Sequence, residues 1–345
     1  MVKQMAEILV KADELAKRLL AALVAEGVPD EGAAATTKAL MHASLLGVDS
    51  HGARLITHYC KVLRGGRVNP RAAVSCHRTG PATAMVDGDN GLGHLTAYRA
   101  VAVAIELARE SGIGAVGATR SSHLGAAGAY ALAIAEAGMV GFATTNTDSI
   151  VGLFDGAEPF HGTNPLAFAA PVKGEKPWLL DMATSSIPLN RVLHYRSLDK
   201  ELPEGVAADA AGAPTRDPNV AQMLLPLGGA DFGFKGAGLA GVATLLSAVL
   251  TGTTLDPDFI PMVDSDDIST PRNMGHFVLA IDPARFAGAN IFAAGIRAYL
   301  DQLRAVPAVD GGKVMAPGDR EWAVEEQRLR DGIPLDPDTA AFLGF

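Results

Sequence analysis

From Ala12 to Ala25 the apolar residues Leu15, Leu19, Leu20 and Leu23 recur at the three- and four-residue spacing of a helix with one buried face. Val28-Pro29-Asp30 interrupts it, and Asp30 is placed to cap a second helix over Ala33–Leu46. Short apolar runs then alternate with helical ones. Thr83–Asp87 reads as a strand and Leu95–Glu110 as a helix, with Ala97, Val101, Ala104, Ile105 and Ala108 on one side. Ile113–Ala118 is a strand, Ala126–Ala137 a helix and Gly138–Thr144 a strand. This rhythm is that of an α/β domain. Leu166–Ala170, Trp178–Met182 and Phe277–Ile281 add strands, and Gly236–Leu250 and Glu321–Asp331 add helices. Two polar, turn-rich stretches are expected as loops. One is Leu198–Pro218. The other is Thr251–Pro271, whose Asp256, Asp258, Asp264, Asp266 and Asp267 suggest a solvated acidic surface.

Charge narrows the function. The 345 residues carry a net charge of −9, which excludes a non-specific binder of nucleic-acid backbone. An acidic protein that handles anions must gather positive charge locally. Cys60 and Cys76 form no Cys-x-x-Cys pair and suit free thiols in a reducing compartment. Lys3, Glu7, Lys11 and Asp13 interrupt the N-terminal segment, so no signal peptide is expected. Val242–Leu250, the longest uncharged apolar run, is too short for a bilayer, and a soluble cytoplasmic protein with no membrane partner is expected.

Candidate chemistry concentrates between Leu46 and Pro70. Ser50-His51-Gly52-Ala53-Arg54 puts a hydroxyl, an imidazole and a guanidinium within five positions, after the second helix. Histidine titrates near neutrality and can accept or donate a proton, and guanidinium binds carboxylate through a fork of N–H donors. The plainer alternatives are a loop histidine and an exposed ion pair. Ser121-Ser122-His123-Leu124-Gly125 repeats the theme at a strand end, where Ser122 is equally suited to cap the next helix. Gly236-Ala-Gly238-Leu-Ala-Gly241 fits G-x-G-x-x-G, but no hydrophobic strand precedes it, so close helix packing is the better reading. Lys235 stands at what reads as a glycine-rich helix start, a position suited to a phosphate or simply to solvent. No metal-ligating constellation appears, and the G-x-S-x-G elbow of a hydrolase is absent.

Several of these blocks together resemble the non-Rossmann malate/L-lactate dehydrogenase family. They are Ser50-His51-Gly52 with Tyr59 and Gly66-Arg67-Val68-Asn69-Pro70, then Ser122-His123-Leu124-Gly125, Gly162-Thr163-Asn164-Pro165, Asp181-Met182-Ala183-Thr184 and Pro317-Gly318-Asp319. The family includes ureidoglycolate and sulfolactate dehydrogenases and cyclic-imine reductases. The resemblance implies an α/β fold with a large mixed β-sheet flanked by helices. A smaller helical lobe would come from residues 1–80 plus 285–345, with 81–284 as the cofactor-binding domain. It also implies an NAD- or NADP-dependent dehydrogenase acting on a 2-hydroxy or 2-oxo acid, and a homodimer. His51 would move the proton, with Ser50 and Asp181 completing a relay in which the carboxylate orients the imidazole. His123 would be a second catalytic or substrate-lining imidazole. Arg54, His123 and Thr163 would face the substrate. Thr147, Asp181, Met182, Ala183, Lys235, Gly236, Pro317, Gly318 and Asp319 would border the cofactor. The sequence departs from the pattern twice. The arginine comes one residue early, leaving Leu55 in its place, and Asn190-Arg191-Val192 replaces Gly-Lys-Val. A cyclic imine acid as substrate, and a non-catalytic ligand-binding relative, are the alternatives.

Overall fold

The computed structural model describes residues 8–262 and 265–345, so Lys3, Glu7 and Asp264 of the sequence reading lie outside the described residues. In chain order the strands are β1 (Ile8–Val10), β2 (Ser75–Gly80), β3 (Thr83–Asp87), β4 (Ile113–Ser121), β5 (Val140–Thr145), β6 (Val151–Gly152) and β7 (Pro159–His161). They continue with β8 (Leu166–Ala170), β9 (Trp178–Met182), β10 (Ala207–Ala208), β11 (Pro214–Thr215), β12 (Met223–Leu224), β13 (Met274–Ile281) and β14 (Ile333–Leu335). The helices are α1 (Ala12–Ala25), α2 (Asp30–Leu45), α3 (Ile56–Arg64), α4 (Gly93–Ser111), α5 (Gly128–Glu136), α6 (Leu189–Ser197), α7 (Gly229–Thr244), α8 (Ala289–Arg304), α9 (Asp319–Asp331) and α10 (Pro337–Leu343).

The main sheet has seven strands in the order β2-β3-β4-β13-β5-β8-β9. Only β3 and β4 run parallel, joined across α4; every other neighbouring pair is antiparallel. A doubly wound dinucleotide fold would need a run of parallel strands. Here β13, from far along the chain, inserts between β4 and β5, so the strand–helix–strand rhythm does not translate into a parallel sheet. The alanine-rich face of α4 packs on the sheet through Ala97, Ala100, Ala104 and Ala108, all buried. At Gly93 an added Cβ would lie 2.0 Å from the carbonyl oxygen of Ser122, so a side chain there would push away the loop carrying His123.

A second core joins α1, α2, α3 and α10 with the β1–β14 pair, through Leu15, Leu19, Leu40, Ile56, Ile333 and Leu343. Helix α8 packs instead near the main sheet, where Leu300 meets Val172 and Ala316.

Several expectations need correction. Asp30 opens α2 from within its first turn and makes no capping bond; Pro29 precedes it. The stretch expected as a loop over Leu198–Pro218 contributes β10 and β11 to a five-stranded sheet ordered β11-β10-β12-β6-β7. Asp256, expected on a solvated surface, is buried at 1% exposure. The helix expected from Gly236 begins seven residues earlier and ends in a π-helical turn over Leu245–Val249. Gly229–Val249 is therefore long and apolar enough to cross a bilayer on length and composition alone, with mean hydropathy 1.4. Its Gly236, Ala240, Ala243, Ser247 and Ala248 are packed into the chain, while Leu239, Val242, Leu245 and Val249 are exposed.

Candidate active site

The Ser-His-Gly segment follows α2 as two 3₁₀ turns, Asp49–His51 and Ala53–Leu55. The backbone N–H of Ala53 donates to Ser44 Oγ of α2 at 2.9 Å, and Arg328 of α9 donates to Asp49 Oδ2 at 2.8 Å. An added Cβ at Gly52 would lie 2.5 Å from Ser44 Oγ, which explains the glycine after the histidine.

The fold brings His51 and His123 together. Their rings are 5.7 Å apart between centroids and only 24° from parallel. Ser50 Oγ lies 2.8 Å from His51 Nδ1. Tyr59 Oη lies 2.7 Å from His123 Nδ1, and the Gly125 N–H donates to the same nitrogen at 3.3 Å. Burial pushes the Tyr59 phenol upward, so it keeps its proton and donates. Two donors on Nδ1 make that nitrogen an acceptor and put the His123 proton on Nε2. Burial also holds His123 well below the ordinary range, with His51 and His94 adding to the effect. His123 is therefore a neutral N–H donor. Burial, then the neighbouring Arg54, pushes His51 down to about 4, so it too is neutral at pH 7. In the tautomer that donates Nδ1–H to Ser50, its Nε2 carries a free lone pair and acts as a base.

Tyr59 was named in the resemblance without a role. It lies on α3, where Ile56, Tyr59, Cys60 and Leu63 are buried at helical spacing. His94 was missed. It is fully buried beneath Tyr59, edge to face at 4.8 Å, and neither ring nitrogen has a partner among the described residues. Ser122 does cap a helix, but α4 rather than the next one: its Oγ accepts from the Gly93 N–H at 2.9 Å.

Asp181 does not join the relay. Its Oδ2 accepts the Gly128 N–H at 2.8 Å at the start of α5, and no hydrogen bond links it to His51, whose Nδ1 is held by Ser50. Packing pushes the Asp181 carboxyl upward, opposed by that N–H and aided by Glu321; one face of the residue stays open to solvent, which limits the rise. Arg54 is exposed and makes no ion pair among the described residues, yet it is the charge that acts on His51. Thr147 donates its N–H to Asn164 Oδ1 at 3.0 Å, and the Thr163 carbonyl accepts the Thr184 N–H at 2.9 Å. Met182 and Ala183 follow at the end of β9, both half-buried.

Lys235 is not at a helix start. It lies six residues into α7, exposed, with Nζ 5.3 Å from the centroid of Phe232. Gly236 serves packing: an added Cβ would lie 2.3 Å from the Leu227 nitrogen. The G-x-G-x-x-G run therefore sits inside a helix, as its missing strand suggested. Pro317 accepts the N–H of Leu179 on the edge strand β9 at 3.3 Å, and Gly318 precedes α9 with φ 96°. Asp319 is held by Arg304 (Nη2–Oδ1 2.6 Å). Pro317 and Asp319 line a groove of about 900 Å³ shared with Trp178, Trp322, Lys176 and Lys313.

The sequence pattern of the malate/L-lactate dehydrogenase family matches residues 10–343. The chain belongs to that family. It is 36% identical over 332 residues to a malate dehydrogenase of Pyrococcus abyssi, covering 94% of this chain and 90% of the relative. It is 33% identical over 318 residues to an NAD(+) ureidoglycolate dehydrogenase of Escherichia coli O157:H7, covering 92% and 89%. The solved sulfolactate dehydrogenase of Methanocaldococcus jannaschii superposes with a TM-score of 0.90 at 31% identity, covering 98% of each chain. Membership makes the chain an oxidoreductase of hydroxy and oxo acids that uses a nicotinamide cofactor.

The buried histidines also bear on stability. His94 and His276 are both fully buried, and burial lowers each to about 3, against about 6.5 in an unfolded chain. Between those values the unfolded chain takes up protons that the folded chain refuses. Their contribution is thus complete above about pH 6.5 and is lost progressively as pH falls toward 3. From pH 6.5 to pH 5 each histidine should cost about 2 kcal/mol of stability. Urea midpoints at the two pH values measure this. A His94→Phe variant should show a smaller acid loss, and equal losses in both proteins would refute the assignment.

Proposed function

We propose that this dehydrogenase acts on the CH–OH group of a small 2-hydroxy acid, interconverting it with the 2-oxo acid, with His51 as proton acceptor and donor. The observation that carries the reading is the stacked imidazole pair, with the His123 proton fixed on Nε2 and His51 bonded through Nδ1 to Ser50; the His51 tautomer that gives Nδ1–H to Ser50 leaves Nε2 as the base.

The cofactor fits the chain along the edge strand β9. Asp181–Ala183 close one end of that strand near the His123 loop. Trp178, three residues earlier and so about 10 Å away along an extended strand, opens the groove with Pro317 and Asp319. Trp178 Nε1 is buried without an acceptor among the described residues, and Lys176 stands 5.0 Å from the Trp322 ring centroid. Aromatic faces beside ammonium groups suit a base and its phosphates. When bound, the nicotinamide exchanges a hydride with the substrate carbon.

The chain's own residues do the rest. Arg54, exposed beside His51, holds the 2-carboxylate. His51 Nε2 takes the hydroxyl proton in oxidation and returns it in reduction, with Ser50 keeping the tautomer. His123 Nε2–H points its dipole at the oxygen that gains charge and so lowers the barrier. Thr163 borders the substrate from the loop before β8.

A cofactor-oxidation assay with a panel of 2-oxo acids and of cyclic imine acids tests the proposal. Turnover of a 2-oxo acid is expected. Turnover confined to cyclic imines would move the function to imine reduction. Cofactor binding with no turnover on either class would leave a binding protein.

The same reading includes a cytoplasmic homodimer. Its support is an exposed apolar stripe, Leu239, Val242, Leu245 and Val249, at helical spacing on α7 and its π turn, together with two unpaired cysteines. Leu245→Asp should convert the dimer to monomer in sedimentation; a monomeric wild type would remove this part.

A further inference from the structure

Two buried arginines take no part in the chemistry above. Arg67 is 5% exposed and Arg272 is 7% exposed. Arg272 pairs with Asp148 through Nη2 and lies 4.9 Å from the ring centroid of Phe259. Arg67 donates through Nη2 to the Asp267 carbonyl and stands 4.0 Å from that residue's carboxylate. In each guanidinium the Nε–H is buried and has no acceptor among the described residues. Buried charged donors are normally satisfied, so two orphans side by side mark a place where an acceptor is missing.

Topology puts them at the proposed active site. Arg272 lies two residues before Met274, which pairs with Ser121 at the end of β4, and His123 follows Ser121 by two residues. Thr145 pairs with His276, so β5 leaves the sheet at the same end and carries Asp148 three residues on. Helix α3 covers that end with His58 and with Tyr59, whose hydroxyl reaches His123. The charge of Arg272 acts on both His58 and His123, and that of Arg67 on His58, whereas Arg54 is the cation acting on His51. Arg54 therefore stands on the His51 side of the imidazole pair and Arg272 on its His123 side, with Arg67 next to Arg272 and beside His58.

We propose that Arg272 and Arg67 form a second anion subsite, which takes the distal carboxylate or sulfonate of a dianionic 2-oxo or 2-hydroxy acid whose first carboxylate is held by Arg54. The unpaired Nε–H groups supply donors that Asp148 and Asp267 leave free. This rests on the proposed 2-hydroxy acid activity and adds to it the substrate's second charge. A substrate with an apolar third carbon would leave the orphaned donors unpaired.

The test compares kcat/KM for oxaloacetate and pyruvate, with saturating reduced cofactor, in wild type, Arg272→Met, Arg272→Lys and Arg67→Met. Wild type should prefer oxaloacetate at least 100-fold. Arg272→Met should shrink that ratio at least tenfold, Arg67→Met should shrink it less, and Arg272→Lys should fall between wild type and Arg272→Met. Should a variant fail to fold, inhibition of the wild type by malonate and by acetate decides, with malonate expected to be at least tenfold the stronger. An unchanged ratio in folded variants, a wild type that prefers pyruvate, or equal inhibition by malonate and acetate would overturn the subsite alone. Turnover of neither oxo acid would instead overturn the underlying activity, and the subsite with it.

Discussion

His51→Asn is expected to lower kcat by 10²- to 10⁴-fold, the range that a positioned acid–base group supplies. His51 Nε2 is the proposed acceptor of the hydroxyl proton, and asparagine keeps polarity and approximate size but cannot take up that proton. Binding of the reduced cofactor, followed by its fluorescence, should stay within a few-fold of wild type, because His51 does not line the groove beside β9. The direction of the pH effect follows from the environment. Burial and Arg54 push His51 down to about 4, so the free enzyme holds it as a base at neutral pH. For hydroxy-acid oxidation kcat/KM should hold between pH 7 and pH 5 and fall below that, as the imidazole protonates. Initial rates taken promptly after dilution separate this from acid unfolding. Full turnover in His51→Asn, or a fall beginning at pH 7, would remove the residue from the mechanism.

Asp256→Ala should be the most damaging single change for stability. The Asp256 carboxylate is buried and receives Asn164 Nδ2 at 2.7 Å, Asn146 Nδ2 at 2.8 Å, Thr244 Oγ1 at 3.0 Å, His161 Nδ1 at 3.0 Å and the Gly162 N–H at 3.3 Å. Burial alone would raise its pKa, yet the bonds from His161, Asn164, Asn146 and Thr244 outweigh it and hold the carboxyl below the ordinary range. Alanine would strand these donors in a dry interior, at a cost of about 3–5 kcal/mol. They anchor the loops bearing Thr147 and Thr163, so substrate and cofactor affinity should fall with stability. Asp256→Asn should lose less, because its amide oxygen at the Oδ2 position still accepts from His161, Asn164, Thr244 and the Gly162 N–H, and only the bond from Asn146 is lost. Urea unfolding of the three proteins gives the order; an Ala variant as stable as the Asn variant would refute it.

The contrast between Asp256 and Ser50–His51 shows what kind of information the sequence holds. Ser50 and His51 are neighbours in the chain, and a short loop after a helix displays them whatever the sheet does. Asp256 sits among four other aspartates in a polar stretch, and nothing local distinguishes the buried one. Its partners come from 12 to 110 positions away in the chain, so only the fold identifies it. Asp181 fails in the opposite sense. It lies in a family block, but its carboxylate reaches Gly128 and not an imidazole, because the register of β9 against β8 decides where its side chain points. Lys235 lies inside α7 and not at its start because the helix already begins at Gly229-Ala230-Asp231, where two of three residues are weak helix formers and give no local sign of a start.

The amino-acid order by itself determined the alternation of helices and strands, the reactive Ser-His-Gly loop and the family, since each depends on residues within one or two turns or on blocks read in sequence. It could not say that β13 would part β4 from β5, that Tyr59 and Gly125 would set the tautomer of His123, or that Arg67 and Arg272 would be buried at one end of the sheet. Those facts depend on contacts between distant segments. Their energies come from shared burial and strand pairing, which no stretch of the chain possesses before the whole has folded.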